Sequence, residues 1–452
     1  MKRNIHLALL LLLSLAANLE SLAETFNKPF AVGQDIYNLN ITMDSFIIKP
    51  QNTNTEFQID ISYLPESQSF KNLPVIYVTD GQWRRMDHKY VHYLTYKKII
   101  PPVIVSAIGY PEKYNADRVR MADLMGRPED FFKAIKEEVI PLVEERFSTD
   151  SKQRFLFGAS AGGYFTAYTF LKNAFEADHT FKGYIGASPY LPSGSKVIEM
   201  AKKLVAKKRE LNASLYLAYG AEESVTYYHT PNNELYKTLE NKNLKNFFFN
   251  HYVYPESDHF DTTRLTLIDG LRLFLGEQQF KGVGAIDLNY RSQQYDFKAT
   301  TQYYDWKTNL FAANSYATDP GYSLTADTGS FKVAADFTLY NSLCFETASV
   351  FFEDLVDREL EFNIYLPQDL AELNYDLQFV IYSTKKNSLE WITDYSHSFK
   401  LNQSGWNVFK YKWRGNVKQG NADCIRGFGV LINRTKSAPA WKGDLYFDEI
   451  KW

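Results

Sequence analysis

The sequence predicts an open, mostly parallel α/β sheet followed by an all-β sandwich. Strand and helix patterns alternate from about residue 30 to residue 276, whereas short strands and turns alternate from about residue 300 to the end. Residues 75–78 and 103–108 are nearly continuous apolar runs rich in β-branched side chains, which is typical of parallel strands buried on both faces. A chain of 452 residues is also too long for one ordinary core, so we expect two domains.

The start of the chain is typical of a secretory signal peptide. A short basic segment precedes an apolar run over residues 7–17, which is too short to span a bilayer, and residues 21–23 offer a small-residue cleavage site. We therefore expect residues 1–23 to be removed and the mature protein to be exported to a periplasm or the exterior. No membrane span is expected after cleavage, and an uncleaved anchor is the alternative.

Composition argues against several partners. The net charge is -3 and no basic stripe is present, so nothing indicates a nucleic-acid partner. No Cys/His spacing resembles a zinc site, so no metal is expected. Two cysteines, Cys344 and Cys424, form one disulfide or remain two buried thiols, and the sequence leaves both open. It also gives no oligomeric state.

The first domain, expected over residues 24–276, has a β-α-β rhythm. Residues 129–147 carry apolar side chains at helical spacing behind Pro128. Residues 153–157 follow as a buried strand and residues 164–171 as a helix. Later segments complete the sheet, with strands at 184–187, 215–219 and 250–254 and a closing helix at 265–275.

A Gly-x-Ser-x-Gly motif joins the strand at 153–157 to the helix at 164–171. Its serine is Ser160, between Gly158 and Gly162. A serine nucleophile on a tight strand-to-helix turn needs glycines two residues away on each side, because the backbone passes too close for a Cβ atom. The motif alone arises by chance, and its place between a strand and a helix makes it a candidate nucleophile elbow.

A histidine and an acid follow Ser160 in the order that a catalytic triad on this type of sheet requires. His259 comes after the strand at 250–254 and is the candidate base, because a serine hydroxyl is a poor nucleophile without one. His229, in a polar segment that follows the strand at 215–219, is the main alternative.

The candidate acids follow the strand at 215–219. Glu223 is favoured over its neighbour Glu222, because adjacent side chains diverge and only one can face the histidine. Glu222, or no acid at all, remains open. Asp258 is a poor candidate, because a residue next to His259 rarely orients its ring.

Backbone amides should stabilise the oxyanion formed when the serine attacks. Ala161, directly after the nucleophile, supplies one amide. The other is expected from Gln82 or Gly81, in the turn after the strand at 75–79. The alternative for the Asp80-Gly81 step is a plain turn.

Residues from about 30 to 276 resemble the esterase group of α/β-hydrolases that includes enterochelin esterases, S-formylglutathione hydrolases and feruloyl or acetyl xylan esterases. The matching segments are residues 74–82, 118–123, 158–163, 187–189 and 257–259. The resemblance implies ester hydrolysis by a serine triad, with no metal or organic cofactor. It also implies an acid at Glu223, where several relatives carry aspartate.

The same resemblance covers Arg118, Arg120 and Asp123, which are similar to a segment near the active-site mouth of these proteins. Surface salt bridges are the alternative for them. We expect the substrate pocket to draw on loops at residues 84–96, 110–127 and 224–233, because binding residues concentrate on loops.

Residues 277–300 are predicted to connect the domains, and residues 301–452 to form a β-sandwich. Five strands are expected, at 360–366, 377–382, 407–413, 427–432 and 445–452. The end of the last strand resembles jelly-roll, galactose-binding-like modules. Six of the seven tryptophans lie in this part, at positions 306, 391, 406, 413, 441 and 452.

Aromatic rings stack on sugar rings, so this domain is a candidate carbohydrate-binding module with Trp391, Trp406 and Trp441 on its binding face. The alternative is that these rings belong to the core. The sequence thus predicts an exported serine esterase for acetyl or hydroxycinnamoyl esters of polysaccharide. An enterochelin-like siderophore ester is the alternative substrate, and an inactive hydrolase scaffold that carries a surface-binding domain is the alternative of another class.

Overall fold

The computed structural model describes most of the chain. The described residues are 36, 39–192, 194–207, 210–240, 244–276, 294–295, 306–308, 313–317, 330–347, 359–384, 391–414 and 425–452. They form an α/β domain and a C-terminal domain of antiparallel strands. The expected signal peptide, most of the expected connection at 277–300 and Cys424 lie outside the described residues.

Eight strands form the sheet of the α/β domain, in the order β1-β2-β4-β3-β5-β6-β7-β8. The strands are β1 Thr42–Ile48, β2 Phe57–Tyr63, β3 Leu73–Thr79, β4 Ile104–Gly109, β5 Thr149–Ala159, β6 Gly183–Ala187, β7 Glu210–Gly220 and β8 Lys245–Tyr254. Strand β2 runs antiparallel to β4, and the strands from β4 through β3 to β8 are parallel. The predicted mostly parallel sheet is confirmed.

Helices connect these strands. They are α1 Arg85–Tyr96, α2 Ala116–Met121, α3 Pro128–Ala134, α4 Ile140–Arg146, α5 Ala161–Glu176, α6 Lys196–Lys207, α7 Thr230–Leu239 and α8 His259–Leu275. Single wider π-helical turns at Ala122–Gly126, Ile135–Val139 and Val225–His229 link some of them into longer helical paths. Turns of this kind insert an extra residue into a helix and are frequent at functional sites.

The three segments expected to be pocket loops are largely helical, so their description as loops is wrong, whereas their part in the substrate pocket stays a prediction. Residues 84–96 are mostly helix α1, residues 110–127 contain α2 with a π-helical turn, and residues 224–233 contain another π-helical turn and the start of α7. Helix α1 was missed although its apolar side chains recur at helical spacing, because polar residues such as the buried Lys89 and His92 lower its mean hydropathy.

The C-terminal domain consists of two antiparallel sheets. One has the order β10-β13-β19-β15-β16 with β17 beside β15, and the other has the order β11-β12-β20-β14-β18 with β9 beside β20. The strands are β9 Gln294–Tyr295, β10 Trp306–Thr308, β11 Ala313–Ala317, β12 Ser330–Asp336, β13 Ser342–Thr347, β14 Glu359–Leu366, β15 Tyr375–Thr384, β16 Trp391–Tyr395, β17 Phe399–Leu401, β18 Gly405–Lys412, β19 Ile425–Asn433 and β20 Lys442–Lys451. All five predicted strands are present.

Buried aromatic rings pack the two sheets face to face. Phe345 of one sheet stacks on Phe447 of the other with ring centroids 4.0 Å apart. Phe362 meets Phe379 and Phe428 edge-on across the same interface, at 5.5 and 6.1 Å. All five side chains are fully buried, so aromatic packing forms the centre of this β-sandwich.

The three tryptophans proposed for sugar binding differ in position. Trp441 is a core residue, because its side chain is buried and its indole nitrogen donates to Asp369 Oδ2 at 2.9 Å. Trp406 is half-buried on β18, and its ring meets Tyr365 edge-on at 5.7 Å. Trp391 begins β16, and its side chain is outside the described part. The core alternative therefore holds for Trp441, whereas Trp406 remains a candidate.

The described cysteine, Cys344, lies buried in β13. Its sulfur is 3.3 Å from Glu346 Oε2 and 3.6 Å from the Tyr382 hydroxyl. Because Cys424 is outside the described residues, the pairing of the two cysteines stays open.

Candidate active site

Ser160 occupies the turn between β5 and α5, where the sequence places it. Its backbone has φ 58° and ψ -114°, a left-handed conformation that costs a non-glycine residue roughly 1–3 kcal/mol. The turn is held by its neighbours, because the Ser160 amide donates to the Ala187 carbonyl at 2.9 Å. The strained turn therefore presents a half-buried serine at the carboxyl end of the sheet.

The glycines around Ser160 are required by close backbone contacts. A Cβ atom on Gly158 would lie 2.3 Å from the Gly162 carbonyl oxygen. One on Gly162 would lie 2.3 Å from Thr79 Oγ1 at the end of β3. Larger residues would push the serine turn away from the neighbouring strand, which explains the Gly-x-Ser-x-Gly spacing in physical terms.

Glu223 is the acid that faces His259. Its Oε2 atom lies 2.7 Å from His259 Nδ1, and its side chain is fully buried. Its Oε1 atom accepts hydrogen bonds from Ser188 Oγ at 2.5 Å and from the Gly220 amide at 2.7 Å. Both carboxylate oxygens of Glu223 therefore have hydrogen-bond partners, and such partners are required when a charged group is buried away from water. Glu222 is not at this position.

Two loops bring the acid and the histidine together. A Cβ atom on Gly220 would lie 2.1 Å from the Ser257 carbonyl oxygen, so the end of β7 touches the loop that carries the histidine. The Glu222 amide donates to that same carbonyl at 3.1 Å. The role of Glu222 in this structure is therefore that of a backbone link between the loops.

Asp258 caps helix α8, of which His259 is the first residue. Its Oδ1 atom accepts from the amides of Phe260 and Asp261 at 2.8 and 3.1 Å. This is the usual bonding of an N-terminal capping residue. The aspartate thus fixes the helix start that carries the histidine, in agreement with its rejection as the orienting acid.

His229, the alternative base, has other partners. Its Nε2 atom lies 3.1 Å from the Gly220 carbonyl oxygen, and its ring packs on Tyr219 at 4.7 Å. It thus contacts the carbonyl of the same residue whose amide binds Glu223. The imidazole that meets the carboxylate belongs to His259.

Tyr228 joins the serine to the histidine, and no motif in the sequence marked it. Its hydroxyl hydrogen-bonds the Ser160 side chain, and its ring lies 4.7 Å from the His259 imidazole. Burial raises the pKa of Tyr228 to about 12. The three side chains therefore form one cluster.

Ser188, which binds Glu223, was also missed as a site residue, although the family resemblance included it.

Arg120 forms a buried ion pair with Asp80, directly after β3. Arg120 Nε and Nη2 donate to the two oxygens of Asp80, each at 2.7 Å, and the Asp80 side chain is fully buried. Asp80 itself has a left-handed backbone, with φ 62°. The surface salt-bridge alternative is thus wrong for Arg120, whose guanidinium fixes the start of the turn that contains Gly81 and Gln82.

Asp123 and Arg118, the other two residues predicted near the active-site mouth, differ from each other in burial. Asp123 is buried and pairs with Arg127 at 2.7 Å. Desolvation raises the pKa of Asp123 above its usual value, and Arg127 opposes this shift. Arg118 is exposed, and its amide donates to the capping side chain of Asn115. Only Arg118 is therefore a surface residue.

The predicted oxyanion amides lie at two positions. Ala161 is the first residue of α5 and is buried. The first amides of a helix have no acceptor within the helix, so they suit an anion. Gly81 and Gln82 form the single helical turn Gly81–Trp83 after Asp80. Their part in binding an oxyanion stays a prediction.

Two features are absent from the described part of the chain. No group of three or more histidine, cysteine, aspartate or glutamate residues suited to a metal ion occurs there. No helix in those ranges is long and apolar enough to cross a membrane.

A mostly parallel sheet with a strained serine after β5, an acid after β7 and a histidine after β8 defines the α/β-hydrolase class. Residues 51–266 match the model of the family described as "Putative esterase". The α/β domain of this chain is thus similar to that family, and the protein is a serine esterase. No curated protein matches the chain significantly.

Solved structures resemble the α/β domain. The BES protein from Bacillus cereus is 22% identical, with a TM-score of 0.45, and the match covers 55% of this chain and 98% of that one. The siderophore hydrolase EstB from Aspergillus nidulans is 21% identical, with a TM-score of 0.45, over 52% and 96% of the two chains. The enterobactin and salmochelin hydrolase IroE is 19% identical, with a TM-score of 0.42, over 53% and 97%.

Proposed function

We propose that this protein is an exported carboxylic-ester hydrolase in which Ser160, His259 and Glu223 act as a catalytic triad. The observation that carries the proposal is the 2.7 Å contact between His259 Nδ1 and the buried, fully bonded Glu223 carboxylate. This contact holds the imidazole in one tautomer, with Nε2 available to a serine. Tyr228, which touches both Ser160 and His259, supports their membership of one site.

Acylation begins when the Ser160 oxygen attacks the ester carbonyl. His259 Nε2 takes the serine proton, and Glu223 stabilises the imidazolium through Nδ1. The proton then passes from Nε2 to the leaving alcohol as its bond to the carbonyl carbon breaks. Water repeats the sequence with the acyl-enzyme and releases the acid.

The oxyanion of each tetrahedral intermediate needs amide donors. Ala161 would supply one and Gln82 or Gly81 the other. The burial of Ala161 supports the first assignment, because hydrogen bonds to a developing charge are strongest where water is excluded. The Asp80–Arg120 pair supports the second, since it fixes the residue before this turn.

The proposed substrates are acetyl or hydroxycinnamoyl esters of polysaccharide. Export, expected from residues 1–23, would bring the enzyme to such material. A sugar-binding role for the C-terminal domain rests now on Trp406, whose half-buried ring lies beside Tyr365 on one sheet.

Hydrolysis of p-nitrophenyl acetate and methyl ferulate by mature protein and its Ser160→Ala variant tests the activity. We expect Ser160→Ala to lose at least about 10³-fold in kcat, as removal of a triad serine does. Ser224→Ala, at an exposed serine near the acid, is the matched control and should keep wild-type rates. Equal activity in wild type and Ser160→Ala would refute the triad.

Substrate choice needs a separate test. Retention on acetylated xylan should fall in Trp406→Ala and persist in Val408→Ala, which removes an exposed side chain from the same strand. No retention of wild type on any polysaccharide would remove the main support for this substrate. Activity on a siderophore trilactone but not on xylan acetate would favour the alternative substrate.

A further inference from the structure

Tyr228 is held rigidly beside the reacting atoms. Its side chain is buried, and its ring packs at 4.7 Å on the His259 imidazole. Its carbonyl accepts from the buried Asn232 side chain at 2.9 Å, and Asn232 also donates to the Pro189 carbonyl at 2.9 Å. This bridge ties the π-helical turn that carries Tyr228 to the loop after β6. The hydroxyl therefore contacts Ser160 from a fixed position.

The sheet order tells on which side of Ser160 this hydroxyl lies. Ser160 follows β5, Asp80 follows β3 on one side of it, and Tyr228 comes after β7 on the other side. The turn proposed to bind the oxyanion follows β3. Tyr228 therefore approaches from the side of the histidine, opposite that turn.

We propose that the Tyr228 hydroxyl donates a hydrogen bond to the leaving-group oxygen of the ester during acylation, an inference that rests on the proposed function. The leaving oxygen must face His259 Nε2, because that atom delivers its proton. The Tyr228 ring packs on this imidazole at a tilt of 36° and its hydroxyl reaches Ser160, so a leaving oxygen between Ser160 and His259 lies within range of that hydroxyl.

The proton balance assigns the two side chains different tasks. When the tetrahedral intermediate collapses, the bond from the carbonyl carbon to the leaving oxygen breaks. His259 gives that oxygen the proton that it took from Ser160, and the alcohol departs neutral. Tyr228 keeps its own proton, in accord with its raised pKa, and stabilises the charge that develops on the leaving oxygen before protonation is complete.

The size of this contribution depends on the alcohol. A phenol that ionises readily carries its charge unaided, whereas an alkyl or sugar alcohol needs both a proton and a hydrogen bond. Tyr228 therefore adapts the site to esters of aliphatic alcohols, the class that includes polysaccharide hydroxyls. Ordinary activated test esters would conceal its role.

Two acetates that differ only in the alcohol test the proposal. The substrates are p-nitrophenyl acetate and ethyl acetate, and the measured quantity is kcat/KM, which reports acylation. Tyr228→Phe keeps the ring on His259 and removes the hydroxyl. We expect its kcat/KM to fall roughly 10–100-fold with ethyl acetate, the effect of losing a hydrogen bond to a charged atom. With p-nitrophenyl acetate we expect a fall of less than about threefold.

Tyr227→Phe is the matched control, because it removes the hydroxyl of an adjacent, half-exposed tyrosine in the same aromatic cluster. It should behave as wild type with both esters. Equal losses of Tyr228→Phe with both esters would overturn the proposal in favour of an oxyanion or structural role, and no loss with either would overturn it as well. Ser160→Ala tests the proposed function separately, because only failure of the triad itself leaves that variant active.

Discussion

The carboxyl edge of the α/β sheet and the centre of the β-sandwich are built on opposite principles. At the edge, the charged side chains of Glu223 and Asp80 are buried, and both oxygens of each are bonded. At the centre of the sandwich, rings such as Phe345 and Phe447 pack without polar atoms. Burying charge is costly unless every partner is supplied, so it is found where chemistry needs it.

Strained backbone conformations also distinguish the carboxyl edge of the sheet from the sandwich. Asp80, Ser160 and Ser188 follow β3, β5 and β6 directly, and all three have positive φ without being glycine. Each carries a side chain that bonds within the site. In the described part of the sandwich, Asn374 and Glu449 are the non-glycine residues of this kind. Strain at three adjacent strand ends indicates that the edge was shaped to present these side chains.

The largest expected effect comes from Glu223→Gln, which keeps the shape of the acid and removes its charge. The amide no longer favours the imidazolium or fixes the histidine tautomer, so kcat on p-nitrophenyl acetate should fall roughly 10⁴-fold. Glu222→Gln is the control and should stay within a few-fold of wild type. If kcat fell by a similar factor in both variants, the conformation of the loop after β7, and not the Glu223 carboxylate, would limit activity.

The next effect concerns stability at the same edge. Arg120→Leu leaves the Asp80 carboxylate buried without its cation, so the free energy of unfolding should fall by about 3–5 kcal/mol. Urea denaturation followed by circular dichroism measures it. Arg118→Leu, at an exposed position, should change it by less than about 0.5 kcal/mol. A small loss in Arg120→Leu would show that water or another group solvates Asp80.

A comparable loss of stability is expected from a substitution in the sandwich, but for a different physical reason. Phe447→Ala leaves a cavity between the sheets and should lower stability by about 3–5 kcal/mol. Tryptophan fluorescence reports this domain, because six of the seven tryptophans lie there. Phe447→Leu, which fills most of the space, should recover much of the loss. If alanine and leucine are equally destabilising, the stacking of the ring matters more than its volume.

The last prediction concerns Asp269, a buried acid away from the carboxyl edge, whose effect depends on pH. Burial raises the pKa of Asp269 from 3.8 to about 7, although Tyr254 donates to it at 2.6 Å. The folded protein therefore holds a proton that the unfolded chain has lost, so stability falls as pH rises from about 4 to 7.

Thermal unfolding of Asp269→Asn across pH 4 to 8 measures this contribution. The titration of Asp269 should lower the melting temperature of wild type by several degrees as the pH rises across this range. The Asp269→Asn variant should lack this contribution to the decline. Asp261→Asn, on the same helix and partly exposed, is the control and should follow wild type. Parallel curves for all three proteins would mean that Asp269 stays ionised in the fold.

The sequence by itself determined the fold class, five of the twelve described strands of the sandwich and the position of Ser160. These features depend on periodicity and on glycine spacing, which are local properties of the chain. It also ranked Glu223 above Glu222. It missed helix α1, because the polar residues that this helix buries lower its mean hydropathy.

Only the tertiary structure decided which side chains meet. Tyr228, Ser188 and Arg120 come from segments far apart in sequence, and their partners are set by side-chain direction where strands end. Trp441 has the residue type of a sugar platform, yet it lies in the core. Residue type and spacing fix the elements, whereas contacts between distant elements depend on how the chain packs, which no local pattern encodes.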